Sequence, residues 1–160
     1  MFLTRVIQAL DENGVDYALV GGYAVALHGA VRGTLDIDLI IGMTEADFTR
    51  AEIALHSIGL QSRLPVAAKE VFQFRNEYIE KRNMLAWSFY NPERTSDVVD
   101  IIITQDLRKM ETVKKSFGRF RIKVLGLKDL IRMKERTGRA QDEADVQALK
   151  EVHRNRRGRK

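Results

Sequence analysis

One stretch constrains this chain more than any other: Val20-Gly-Gly-Tyr-Ala-Val-Ala-Leu-His-Gly-Ala-Val-Arg-Gly-Thr-Leu-Asp-Ile-Asp-Leu-Ile-Ile41. It reads as the end of a strand, a Gly21-Gly22 turn, a short helix over Tyr23–Ala30 and a second strand over Thr34–Ile41. Side chains of a strand alternate between faces, so Leu35, Ile37, Leu39 and Ile41 point one way. Thr34, Asp36, Asp38 and Ile40 point the other, which sets Asp36 and Asp38 one rung apart on a single face. Two like charges that close repel each other, and a strand built for stability alone gains nothing from them. A shared divalent cation removes the conflict. A Gly-Gly turn that opens a helix nearby offers bare backbone N–H groups to phosphate oxygens.

A third carboxylate follows the same logic. In Asp97–Thr104 the residues Val99, Ile101 and Ile103 share one face, and Val98, Asp100 and Ile102 the other. An ionised group in so apolar a strand is costly unless it is paired or binds metal. Asp36, Asp38 and Asp100 form a hard oxygen donor set of the kind that suits Mg²⁺, with Mn²⁺ as the alternative ion. Two such ions, one at the attacking oxygen and one at the leaving group, drive in-line nucleotidyl transfer. In this reading Asp36 and Asp38 bind both ions and Asp100 binds the one that activates the acceptor hydroxyl. The competing reading leaves each Asp facing solvent at an edge or paired with an arginine.

The rest of the chain supplies a frame. Phe2–Asn13 has helical spacing and stops at Asn13-Gly14, and Val15–Val20 is a short strand. Thr44 and Asp47 resemble an N-cap with a third-position acid, opening a helix with Phe48, Ala51, Leu55 and Ile58 inward. Leu60–Leu64 reads as an edge strand, Lys69–Arg82 as a broken pattern open to helix or strand, and Met84–Tyr90 as a strand. Phe117–Leu125 around Gly118 suggests a strand or hairpin. Leu127–Thr137 and Ala140–His153 are helices parted by Gly138. The expected architecture is α/β, a small mixed sheet with flanking helices and a helical C-terminal extension. Residues 1–153 make one domain and 154–160 a basic tail.

Composition narrows the class. With no cysteine, disulfides and thiolate metal sites are excluded. The longest uncharged run, Tyr17–Val31, is too short and too interrupted for a membrane span, and the N-terminus lacks a signal-peptide block. A cytoplasmic protein with no membrane association is expected. The net charge of +5 gathers in two groups, Lys114, Lys115, Arg119, Arg121 and Lys123, and Arg154, Arg156, Arg157, Arg159 and Lys160. Such clusters favour polyanions such as RNA, or simply keep a tail solvated.

These motifs resemble the nucleotidyltransferase superfamily, the polymerase-beta-like fold. The likeness is nearest to small bacterial members of toxin–antitoxin and abortive-infection type. It is carried by Gly21-Gly22-Tyr23-Ala24, His28-Gly29, Arg32-Gly33-Thr34-Leu35-Asp36-Ile37-Asp38 and the Asp100 strand. Leu130, Lys134, Arg139, Asp142 and Asp145 match that group's ending more loosely. The resemblance implies an NTP substrate bound through Gly21, Gly22, Arg32, Thr34 and Lys134, and catalytic carboxylates at Asp36, Asp38 and Asp100. The acceptor is left open among an RNA 3′ end, a protein and a small molecule. Many members carry Gly-Ser where this chain has Gly21-Gly22, so a hydroxyl contact to phosphate is missing. The rival is a non-catalytic nucleotide- or partner-binding module of a toxin–antitoxin-like system.

Smaller features receive plainer readings. His28 is a satisfied helix-end histidine, and Trp87 and Phe89 are core packing. Asp142 and Asp145 are helix-start charges or partners of Arg139 and Arg136.

Overall fold

The computed structural model describes residues 1–159 and builds them on one seven-stranded mixed sheet. The strands are β1 (Tyr17–Val20), β2 (Ile37–Ile41), β3 (Gln61–Ser62), β4 (Ala86–Tyr90), β5 (Val98–Ile102), β6 (Thr112–Phe117) and β7 (Phe120–Leu125). Their spatial order is β3-β4-β5-β2-β1-β7-β6. The β2–β5 and β1–β7 joins are parallel and the other four antiparallel. The helices are α1 (Phe2–Glu12), α2 (Gly21–Leu27), α3 (Glu45–Ser57), α4 (Ala68–Gln73), α5 (Arg75–Arg82), α6 (Leu127–Thr137) and α7 (Ala140–Arg157).

The apolar alternation decides which face is core. Trp87, Phe89, Val99, Ile101, Ile37 and Leu39 are fully buried on one side of the sheet. Phe48 of α3 stacks on Trp87 with ring centroids 5.7 Å apart, and Phe72 meets Phe48 edge-on. α3 begins as its sequence suggests: the Thr44 hydroxyl accepts from the Asp47 N–H at 3.0 Å. The segment open to helix or strand is helical, broken between α4 and α5 at Phe74. The hairpin of β6 and β7 turns at Gly118-Arg119, where Gly118 supplies the positive φ of +55°. The last helix runs four residues beyond His153, through Arg157. No helix among the described residues is long and apolar enough to cross a membrane.

One expectation fails at the entry to β2. Thr34, Leu35 and Asp36 are not in the strand, which begins at Ile37. Strand pairing needs a partner backbone. β1 ends at Val20 opposite Asp38, and the chain then turns into α2, so nothing remains on that side for residues 34–36. Leu35 is 74% exposed, and Asp36 lies outside the ladder.

Candidate active site

A single rung runs across four strands. Val20 is the register partner of Asp38, Asp38 of Asp100, and Asp100 of Ser88. Register partners share a face, so two carboxylates stand side by side on the sheet face opposite Trp87 and Phe89. The Ser88 hydroxyl donates to Oδ1 of Asp100. Asp38 is pushed up to about 6, first by burial and then by the like charges of Asp100 and Asp36, with Lys134 and Arg139 opposing. Without a cation, the rung places two acids in direct conflict.

Gly21 and Gly22 are not a turn ahead of the helix but its first two residues, Gly21 set against this rung and Gly22 against the loop before β2. Gly21 has φ +64°, and a Cβ there would lie 2.0 Å from Oδ2 of Asp38. At Gly22 a Cβ would lie 2.7 Å from Cβ of Thr34. Each glycine is therefore required, one by the carboxylate and one by the loop that precedes β2. His28 ends α2 buried, its Nε2 2.8 Å from the Leu125 carbonyl oxygen.

The opposite wall is an ionic network joining α6 to α7, with Lys134, Asp142 and Asp145 buried at its centre. Lys134 Nζ lies 3.2 Å from Oδ1 of Asp142 and 2.9 Å from Oδ2 of Asp145. Arg139 Nε reaches Oδ2 of Asp142 at 2.8 Å, and Arg32 Nε reaches Oδ1 of Asp145 at 3.2 Å. Burial pushes Asp142 up, but hydrogen bonds from Arg139, Thr137 and Lys134 outweigh it and bring the group to about 2. The Arg32–Asp145 pair thereby ties the loop before β2 to α7.

Between the rung and the network opens a cleft of about 660 Å³. Val20, Gly21, Asp38 and Asp100 form one side, and Lys134, Arg139 and Asp142 the other. Leu85, Ile102, Leu130 and Met133 continue it as an apolar wall, with Arg136, Thr104 and Gln105 also lining it. Of the residues singled out in the sequence, Gly21, Asp38, Asp100 and Lys134 line this cleft. Gly22 and Thr34 pack on each other beside it, Arg32 is held by Asp145, and Asp36 is exposed at the mouth of β2. Among the lining or contacting residues that the sequence did not assign to the site are Ser88, Arg139 and Asp142. Ser88 alternates with the core residues Trp87 and Phe89, which was the available signal; the i,i+3 spacing of Arg139 and Asp142 was the other.

The donor chemistry fits a hard divalent ion at Asp38 and Asp100. Both offer carboxylate oxygens to one cleft, and Asp36 is near enough to raise Asp38 further. Among the described residues, however, no group of three acidic or histidine side chains converges into a ready-made cage.

In fold the chain is similar to solved structures that include an adenylyltransferase and a nucleotidyltransferase-like protein. The antibiotic-resistance factor ANT(2'')-Ia, solved in solution, matches with a TM-score of 0.63 at 9% identity, over 99% of this chain and 90% of its own. The lincomycin-bound lincosamide antibiotic adenylyltransferase LnuA matches with a TM-score of 0.62 at 15% identity, over 94% and 96%. An antigenic nucleotidyltransferase-like protein from Paracoccidioides brasiliensis gives 0.55 at 17% identity, over 94% and 74%. At these identities the likeness is one of fold. No protein-family model matches the sequence, and no curated protein matches it either.

Proposed function

We propose that the protein transfers a nucleoside monophosphate from an NTP to an acceptor hydroxyl, releasing pyrophosphate, in a Mg²⁺-dependent reaction. The observation that carries this reading is the Asp38–Asp100 rung facing an open cleft beside Gly21 and Gly22 at the start of α2. Its support from other proteins is the fold shared with LnuA, an adenylyltransferase, and with ANT(2'')-Ia, also solved with adenylyl-2''-tobramycin.

Asp36, Asp38 and Asp100 would hold the Mg²⁺, with room for two ions and with Mn²⁺ as the alternative. When bound, the metal offsets their mutual repulsion and polarises the phosphoryl oxygens. The chain's own groups do the rest. Backbone N–H groups at Gly21 and Gly22 donate to phosphate oxygens. Lys134, fixed by Asp142 and Asp145, presents positive charge from the facing wall. Arg32 and Thr34 contribute to nucleotide binding by fixing the loop that borders these glycines. Ser88 holds one oxygen of Asp100 and leaves the other for the acceptor hydroxyl.

The acceptor side of the cleft is apolar, and Arg136 and Arg139 are the cations beside it. Asp38, Asp100 and Asp142 line the same cleft and balance these cations and Lys134, so an RNA 3′ end, a protein hydroxyl and a small molecule all stay in the test. The test is a screen of labelled NTPs with Mg²⁺ against RNA, protein and small hydroxyl compounds. Label transfer that is abolished in both Asp38→Asn and Asp100→Asn supports the reading; label transfer that survives in both overturns it.

A second reading, a nucleotide- or partner-binding module without turnover in a toxin–antitoxin-like system, is favoured by the place of Asp36, exposed before β2 and off the Asp38–Asp100 rung. Nucleotide binding with no transfer to any acceptor would select it.

A further inference from the structure

The two basic segments noted in the sequence are not two patches. The pleat of the β6–β7 hairpin divides the first: Lys114, Arg121 and Lys123 leave one face, while Lys115 leaves the other with Phe117 and Phe120. The first face is partly neutralised, because Lys123 pairs with Asp16 at 2.9 Å. The second face meets the end of α7. Arg156 Nη2 donates to the His28 carbonyl oxygen at 2.9 Å, and both Val152 and Arg156 pack against Gly29. Lys115 is lowered by burial and then by the charge of Arg156, so two cations sit together there. Neither has a carboxylate within ion-pair distance among the described residues. Arg119 lies over the Phe120 ring, 5.4 Å from its centroid and so inside the ~6 Å reach of a cation–π contact.

From these contacts we infer that Lys115, Arg119, Phe120 and Arg156 form a binding surface for single-stranded RNA, separate from the catalytic cleft. Uncompensated cations beside an aromatic ring are what a phosphate backbone with exposed bases requires. A lipid surface fits less well, since the last turn of α7 exposes Arg154, Asn155, Arg156 and Arg157 and no large apolar side chain. Asp142 borders the cleft and Arg156 the basic surface, fourteen residues apart on one helix, or about 20 Å at the α-helical rise. A strand of a few nucleotides spans that gap. The inference rests on the proposed transferase reading only in making the strand's 3′ hydroxyl the acceptor.

The test measures binding alone, without NTP, by fluorescence anisotropy of a labelled 20-nucleotide single-stranded RNA on the full chain. Two triple variants lose the same charge from opposite sides. Lys115→Ala/Arg119→Ala/Arg156→Ala strips the inferred surface, and Lys114→Ala/Arg121→Ala/Arg154→Ala strips the far face. Arg154 belongs to the control because it lies about 160° around the helix from Arg156 at 100° per residue. Expected is RNA binding that weakens at least tenfold in the first variant and less than twofold in the second. The slope of log affinity against log salt should drop by about 2 in the first variant, from three lost phosphate contacts. Equal losses in both variants, no RNA binding at low salt, or tighter binding to phosphatidylserine vesicles than to RNA would each overturn it. Because no turnover is measured, such a failure leaves the transferase reading intact, and label transfer to a small hydroxyl compound tests that reading separately.

Discussion

Gly21 and Asp38 touch so closely that the smallest side chain at position 21 would occupy the space of the carboxylate oxygen, 2.0 Å from the added Cβ. The start of α2 and the acid are thus one unit. Gly21→Ala should displace the Asp38 carboxylate and also strain a φ of +64°, costing about 1–2 kcal/mol. Gly22→Val meets Thr34 instead, and should weaken NTP binding in a protein that remains folded. Thermal melts paired with nucleotide titration check both; unchanged affinity in folded Gly22→Val removes the glycine pair from the site.

Asp38 makes the metal-free protein sensitive to pH. Its carboxyl is raised from 3.8 to about 6 in the folded state. Below pH 4 it is protonated in both folded and unfolded chains, and above 6 it is ionised in both. Between them the folded chain holds a proton that the unfolded chain has released, so stability falls as pH rises through that window. The fall is at most about 3 kcal/mol, from about two units at 1.36 kcal/mol each. Asp38→Asn should flatten this dependence and stabilise the metal-free protein at pH 7. Urea melts across pH 4–7.5 in EDTA measure it, and Mg²⁺ should restore wild-type stability.

Asp100→Asn separates catalysis from binding. Transfer should fall about 100-fold or more, a loss of some 2.7 kcal/mol in transition-state stabilisation. NTP affinity should persist in large part, since Asp38, Lys134 and the glycine pair are untouched. A destabilised variant with intact turnover would mean that Asp100 serves the fold through Ser88.

Asp145 is shared by Lys134 and Arg32, both of which lose a buried partner when it is removed. Asp145→Ala should cost about 1.5–3 kcal/mol, because Lys134 is left with Asp142 alone and Arg32 loses its charged partner. Replacing Asp145 and Lys134 together by Leu and Met should recover part of that stability but not nucleotide affinity. A melt of the single and double variants reads the difference.

The parts of this site written in alternation were legible from the chain. Val99, Ile101 and Ile103 against Asp100 placed the third acid on the right face, because period two depends only on neighbouring residues. Asp36 falls outside the strand for a reason no local pattern contains: β1 pairs no further than Asp38, and β2 reaches only one residue beyond it, to Ile37 held by Val99 of β5. Asp142 and Asp145 are accounted for by the reversal at Gly138, which folds α7 back so that both reach Lys134. Seen as charges in the first turns of a helix, they suggest no such depth. The basic hairpin looks like one cluster in sequence and is two faces in space, since the pleat sorts it. Residues 60–92 show the weakest pattern because α5 buries no side chain fully and, of its apolar ones, Tyr78 and Ile79 only partly, leaving helical periodicity little to act on.

The parallel join between β2 and β5 also determines when the protein becomes functional. Asp38 and Asp100 lie 62 residues apart in the chain, and Leu19 and Val124, paired across the neighbouring parallel join, lie 105 apart. Contacts of such long range close large loops and delay folding relative to the helices and hairpins formed from adjacent segments. The hairpin of β6 and β7 can assemble by itself, and so can the pair of α6 and α7. The acid rung cannot, because neither half exists without the other strand docked in register. A folding intermediate can therefore carry nearly native helices and still have no trace of the site, and metal affinity would report completion of the sheet.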